Sequence, residues 1–414
     1  MAVPSRAFIE KNALEKRGVA TIVSVQISSK LPLRRSKNEF YRYYAGYPLD
    51  FATWALGELK LPAGALVIDP WNGSGTTAAA CARLGLSCQG YDINPVMVHL
   101  GRARVASNVD FEEAEELVCS VEEIIGTDQF VDIRAVGRAF RELPVSNESA
   151  HSIAIAALFP YARDILILSK TKNPSWFKKG ATFDGLSLSK DELLLRWKLL
   201  LHQVSTWRST QEDLEGVAIS IERGDSRKSL GRKDAFDAIL TSPPYLTRLD
   251  YVQATLPEFL LLKEFDSVPN MQRLRRSMLG SPLTTERSAR SLERLPSTIR
   301  ELLNRIRSHA SKASASYYHR FFSAYFVDLQ ASMRNIAKVL KAGGSGCIVV
   351  QASHYKEIEI DLAGTVVLLG EEMGLRHQLT FESGSRRSMS LVNSRAHEEA
   401  RKPKSESAVF FRKE

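Results

Sequence analysis

Residues 65–77 read ALVIDPWNGSGTT. Ala65–Asp69 is a short apolar run of the kind that forms a strand buried on both faces, and it ends in an acid. The turn that follows carries Gly73 and Gly75, and Ala78–Leu84 continues as a helix. Cys88–Asp92 is a second strand and again ends in an acid, 23 residues after Asp69. Strand, glycine-rich turn, helix and strand make one βαβ half of a doubly wound sheet. In such a sheet the carboxyl ends of the strands share one rim, where ligands bind.

Strand signals recur far from this unit. Val217–Ile221 is followed by Gly224-Asp225, and Phe236–Leu240 runs into Thr241-Ser242-Pro243-Pro244-Tyr245. A long helix is expected over about 321–341, stopped by Gly343-Gly344. Cys347–Gln351 is a strand and Ile358–Met373 a helix, and strands near Gln378–Glu382 and Ala408–Arg412 close the chain as an antiparallel pair. Residues 104–212 lack the alternation and read as helical. Phe111, Ala114, Val118, Val121 and Ile125 recur at helical spacing among six glutamates, and Asp191–Val204 is amphipathic. The expected organisation is an N-terminal extension (1–39), a catalytic domain (40–103, 213–263 and 321–414), a mainly helical insertion (104–212) and a basic insertion (264–320). The fold class is α/β: a doubly wound, mostly parallel, Rossmann-like sheet of seven strands.

Composition sets the outer limits. The 414 residues are 44% hydrophobic and 25% charged, ordinary for a globular chain and unlike collagen, coiled coil or disorder. Four cysteines without a C-x-x-C give neither a disulfide scaffold nor a zinc site, so no metal is expected. The first eighteen residues lack a signal-peptide core, and no apolar run approaches the roughly 20 residues of a membrane span, so a soluble cytoplasmic protein is expected. Net charge is +9, but residues 271–320 hold eleven Lys/Arg against three acids, so nearly all the excess is local. A basic segment on a near-neutral body reads as a polyanion contact, most often nucleic acid.

The turn after Asp69 is not a P-loop, since no Gly-Lys-Ser/Thr follows, and it is not G-x-G-x-x-G. Its glycines let a ligand approach the backbone, and the helix behind it offers unpaired N–H groups. Asp69 would repel a pyrophosphate and suits a cofactor with a cationic amino-acid end. Asp92 is placed to accept hydrogen bonds from ribose hydroxyls.

The ordered set of motifs resembles the S-adenosylmethionine-dependent amino-methyltransferases, which methylate exocyclic amines of DNA bases. Asp69–Thr77 resembles their motif I, Asp92-Ile93 motif II, Gly224-Asp225 motif III, Thr241–Tyr245 motif IV and the aromatic stretch Tyr43–Phe51 motif X. The resemblance spans about 40–103 and 216–413, in the order of the gamma-type enzymes. The departure is the insertion of about 110 residues between motifs II and III.

The resemblance implies S-adenosylmethionine as cofactor, held by Tyr47, Asp69, Pro70, Asn72, Gly73, Ser74, Gly75, Thr76, Thr77 and Thr241. Ile93 is a further cofactor-binding position, Asp92 meets the ribose and Asp225 the adenine. Ser242, Pro243, Pro244 and Tyr245 form the catalytic set. Serine at the head of motif IV resembles the cytosine-N4 enzymes, whereas N6-adenine enzymes more often carry Asp or Asn there. An N6-adenine DNA methyltransferase, an RNA guanine-N2 methyltransferase and a non-catalytic nucleic-acid-binding regulator are the alternatives. The expected partner is double-stranded DNA with a flipped target base, with any restriction endonuclease on another chain. DNA contacts are expected from Arg273, Arg275 and Arg276, taken as free of acid partners, from Lys178 and Lys179 in a basic-aromatic loop, and from Arg248. Arg248 has an equal alternative, pairing with Asp250.

Overall fold

Val67 and Ile68 are inaccessible to solvent, and they explain the centre of the sheet. Successive strand side chains point to opposite faces, so Val67 enters one apolar core and Ile68 the other. The computed structural model describes residues 41, 46–166, 183, 187–209, 217–247, 249–385 and 404–414. Seven strands form the main sheet: β1 (Leu66–Asp69), β2 (Ser87–Asp92), β3 (Ile219–Arg223), β4 (Phe236–Thr241), β5 (Leu340–Gln351), β6 (Leu375–Ser385) and β7 (Lys404–Lys413). Their order is β6-β7-β5-β4-β1-β2-β3. β1 pairs in parallel with β2 and β4, β2 with β3, and β4 with β5, while β7 runs antiparallel between β5 and β6. This is the expected doubly wound, mostly parallel sheet. The chain crosses from β3 back past β1 to β4, so the topological switch point lies between β1 and β4.

Helices Leu49–Glu58 and Thr76–Arg83 cover the Val67 face. Helices His319–Val339 and Leu362–Glu371 cover the Ile68 face, joined by Ser297–Ser308. A third core belongs to the residues between β2 and β3, where six helices lie among the described residues: Pro95–Arg104, Asn108–Ile124, Ile133–Glu142, Glu148–Ala157, Phe159–Leu166 and Lys190–Ser209. Trp197 is fully buried there, its indole N–H donating to the Ala154 carbonyl at 2.7 Å. Helix Leu256–Phe265, which follows the Ser242–Tyr245 loop, places Phe259, Leu261, Leu262 and Phe265 in the same core. The buried Glu258 ties that helix across to Arg163 at 2.7 Å. No helix among the described residues is long and apolar enough to cross a membrane.

Two local expectations change. The helix expected to stop at Gly343-Gly344 ends at Val339, and β5 begins at the next residue. Gly343, at φ +74°, sits in the strand where the β4–β5 register shifts, so these glycines bend a strand around a bulge. Ile358–Ile360 is the second strand of a small ribbon with Ser353–Tyr355, and the helix expected from residue 358 starts at Leu362, capped by the Asp361 carboxylate.

Candidate active site

The carboxyl ends of β1, β2, β3 and β4 open into one cleft of about 950 Å³, counted out to its mouth. Tyr47, Asp69, Pro70, Asn72, Gly73, Ser74, Thr76, Asp92, Ile93 and Asp225 line it, and so do Ser242, Pro243, Pro244 and Tyr245. The expected cofactor and catalytic sets therefore face a single space. Gly75, Thr77 and Thr241 stand just behind its wall.

Asp69 is the hub of that wall. It is 2% exposed, and its carboxylate accepts from the Trp71 N–H at 3.1 Å, the Thr241 hydroxyl at 2.5 Å and the Thr77 hydroxyl. Since Thr77 gives its proton to Asp69, the Tyr47 hydroxyl, 2.5 Å from Thr77 Oγ1, is the donor to Thr77. One carboxylate thus fastens the ends of β1 and β4, the first helix turn and Tyr47. Burial pushes Asp69 up to about 6, against the lowering effect of its donors.

Asp92 lies at the neighbouring strand end. Its Oδ2 accepts from the Gly73 N–H at 2.9 Å and its Oδ1 from the Asn94 N–H at 2.8 Å. These two amides aim a half-buried carboxylate along the cleft. Burial pushes it up to about 7, and the charge of Asp69 adds to that shift. Gly75, at φ +82°, carries the chain into helix Thr76–Arg83 so close to the next helix that a Cβ would lie 2.9 Å from Gly101 Cα. The first N–H groups of that helix have no intrahelical acceptor, which leaves donors at the cleft.

Asp225 also lines the cleft, at the strand end next to Asp92, but its carboxylate is engaged. Arg227 binds both its oxygens, at 2.9 and 2.7 Å, and holds it below the ordinary carboxylate range despite its burial. Arg227 also reaches Asp328 at 2.9 Å and the Ser277 carbonyl at 2.5 Å.

The loop after β4 is fixed along its length. Ser242 Oγ donates to the Val349 carbonyl at 2.9 Å, Tyr325 Oη to the Pro244 carbonyl at 3.0 Å, and Tyr251 Oη accepts from the Tyr245 N–H at 3.1 Å. Burial, with Glu406 beside it, pushes the Tyr245 hydroxyl well above its ordinary range, so it stays protonated.

Of the expected DNA contacts, Lys178, Lys179 and Arg248 lie outside the described residues, as do the 1–39 extension and the Lys170–Gly180 loop. Arg273, Arg275 and Arg276 share helix Met271–Ser277, whose end leads into Ser277, Met278 and Leu279 on the cleft wall. Arg273 and Arg276 are exposed. The expectation that these arginines stand apart from acids fails at Arg275, which pairs with Asp250 at 2.7 Å, and further along the basic segment Arg287 pairs with Asp328 at 2.7 Å. Residues 277–279, Tyr251 and Arg227 are cleft residues that no local pattern marks. Asn94 was not singled out either, although an Asn-Pro pair just after a strand signals an N-cap with proline at N1; its side chain accepts from the Val96 N–H.

A family profile described as N6_N4_Mtase, DNA methylase, matches residues 24–102. The Type II methyltransferase M.BsoBI of Geobacillus stearothermophilus is 21% identical over 305 residues, 61% of this chain and 59% of its own length. Among solved structures, a TehB-like SAM-dependent methyltransferase from Corynebacterium glutamicum shares 9% identity, with 88% of this chain and 87% of that chain covered and a TM-score of 0.29. The [4+2]-cyclase SpnF shares 9%, with 96% and 89% covered and a TM-score of 0.35.

The cofactor implied by the DNA methylase match is S-adenosylmethionine, and the residues fit it. Asp92 offers a carboxylate whose burial calls for donors, as a ribose diol supplies them, and Asp69 lies where a cationic amino-acid end is favoured. Matched segment, ordered motifs and sheet order agree, and the family this chain resembles is that of the S-adenosylmethionine-dependent amino-methyltransferases of DNA.

Proposed function

We propose that this protein is a site-specific DNA methyltransferase that moves a methyl group to an exocyclic base amine, cytosine N4, on a base turned out of the duplex. The observation that supports this most is the placement of Ser242-Pro-Pro-Tyr245 and the Asp69/Asp92 pair on the walls of one cleft. S-adenosylmethionine supplies an electrophilic methyl group when bound. The chain's task is to present the amine.

An exocyclic amine is a poor nucleophile because its lone pair is delocalised into the ring. Acceptors for its two N–H groups localise that pair on nitrogen. Ser242 suits this role because its own proton is committed to the Val349 carbonyl, so that its Oγ, which also lies beside the Tyr245 hydroxyl, offers a lone pair as acceptor. The Pro243 carbonyl is a second acceptor on the same wall, in a stretch whose φ angles the prolines fix. Tyr245, kept neutral, is a flat wall for a stacked base rather than a general base. The loop's hydrogen bonds hold these groups without a search at the moment of reaction, and such positioning supplies much of the acceleration in methyl transfer. The exposed Arg273 and Arg276 stand beside the cleft wall and suit the phosphate backbone, with residues 264–320 as the DNA-gripping segment.

Nucleoside mass spectrometry of DNA and RNA from cells with and without the gene tests the reading. N4-methylcytosine in DNA is the expected product. N6-methyladenine would move the target base to the alternative, N2-methylguanine in RNA would replace DNA as substrate, and no new methylated nucleoside would refute the activity. Appearance of the mark at a defined sequence would fit a restriction-modification or phage-defence role.

A further inference from the structure

We infer that helix Ser297–Ser308 reads base pairs in duplex DNA through Arg300, Asn304 and Arg307, an inference that rests on the function proposed above. The helix buries Ile299, Leu303 and Ile306, at 2%, 3% and 0% exposure, against the core beneath helix His319–Val339. That fixes which face turns outward. Arg300, Asn304 and Arg307 follow one another at i, i+4 and i+7, so they form one stripe, and all three are exposed. None makes a hydrogen bond or ion pair with the described residues. The helix's single acid, Glu301, lies on the other flank, at the i,i+4 spacing from Arg305.

A solvated helix face interleaves acids and bases. This stripe carries two guanidinium forks with an amide between them and no carboxylate. The chemistry matches base edges: arginine pairs with guanine O6 and N7, and asparagine with adenine N6 and N7. A helix is also the element that a major groove about 12 Å wide admits. Elsewhere in the basic segment the charge has other work, since Arg275 and Arg287 are tied to Asp250 and Asp328.

The mounting supports the same reading. Directly after the helix, His309 Nε2 meets Glu357 at 2.8 Å, and its ring packs edge-on against Tyr355, 5.4 Å between centroids. Both partners belong to the 353–360 ribbon segment, whose Ser353 hydroxyl donates to the Leu246 carbonyl at 2.9 Å, one residue beyond Tyr245. A series of packed contacts therefore ties the C-terminal end of this helix, through His309 and the ribbon, to Leu246 beside the Ser242–Tyr245 loop.

The test uses the full chain, S-adenosylmethionine and a library of duplex DNA with randomised sequence, followed by sequencing of the methylated molecules. Asn304→Ala, at an exposed position and with a better helix former, should keep the melting temperature and lose discrimination at one base position by about tenfold or more. Arg300→Ala and Arg307→Ala should relax other positions. Arg273→Ala/Arg276→Ala should lower methylation uniformly across sequences. If all three stripe variants keep the wild-type preference, the inference fails alone. If the wild type methylates no duplex DNA, the proposed function fails and takes this inference with it.

Discussion

Asp92→Asn isolates the cofactor half of the site with almost no change in shape. The wild-type carboxylate already accepts from the Gly73 and Asn94 amides, and each oxygen keeps a lone pair for the cleft. An amide in its place retains one acceptor oxygen and turns an N–H₂ toward a donor. A hydrogen bond to a charged group is worth about 1.5–3 kcal/mol, so losing one ribose contact should weaken S-adenosylmethionine about tenfold to a hundredfold. The deficit should depend on pH. Burial holds Asp92 up at about 7 and Asp69 at about 6, against 3.8 for an ordinary aspartate. Ligand donors favour the ionised form, so wild-type affinity should rise as pH climbs through about 7 and then level off. Below about pH 6 the wild-type group is largely protonated, and the gap to Asp92→Asn should narrow. The ligand-free protein should show the opposite trend. A carboxyl raised in the folded state binds more protons there than in the unfolded chain, so its contribution to stability is full below pH 3.8 and is lost as pH rises through about 7. Titration calorimetry of both proteins across this range decides the matter. Equal affinities above pH 7 would remove Asp92 from the cofactor site.

Ser242→Ala removes the acceptor oxygen, so methyl transfer should fall by about a hundredfold or more while cofactor affinity holds, a split read by single-turnover kinetics beside calorimetry. Glu258→Gln leaves Arg163 without its charged partner next to a fully buried position, and should cost about 3–5 kcal/mol, read as a lower urea midpoint. Gly75→Ala imposes a side chain on a left-handed residue and drives a Cβ against Gly101. It should cost about 1–3 kcal/mol in thermal unfolding and weaken cofactor binding. Arg273→Ala/Arg276→Ala should reduce the salt slope of DNA binding by up to about two units and leave cofactor affinity unchanged, measured by fluorescence anisotropy at several ionic strengths.

The central βαβ unit was legible because its signals are local. The buried ALVID run, the glycines and the closing Asp92 each act within a few residues of one another, and expected and observed ends agree within two residues. What Asp69 does with its oxygens was not legible, since one donor, Thr241, lies 172 residues away and only the β1–β4 pairing brings it near. The glycine pair at 343–344 misled because the same residue type ends helices and bends strands, and the choice is made by pairing with β4. The ribbon at 353–360 was hidden because Ile358 and Ile360 lead, with no glycine or proline between, into the apolar helix that starts at Leu362. Counting charge over 271–320 found the basic segment but gave Arg275 and Arg287 the wrong company, because Asp250 and Asp328 fall outside the counted window.

Those two acids change what the basic segment is. Asp328 receives Arg227 and Arg287 together, Arg227 holds Asp225, and the Ser277 carbonyl takes a further donor from Arg227. One end of this chain of charges is a wall of the cofactor cleft, and the other is the segment expected to grip DNA. Half-buried ion pairs of this kind contribute little net stability over an apolar replacement, yet removing a single partner leaves a charge stranded at high cost. Such a network therefore specifies a relative position more than it stabilises the fold. It fixes Ser277–Leu279 against the cleft and keeps helix Met271–Ser277 in register with it. Charge that counts as free polyanion affinity in the sequence is in part the fastening that sets the remaining exposed arginines, Arg273 and Arg276, beside the catalytic rim.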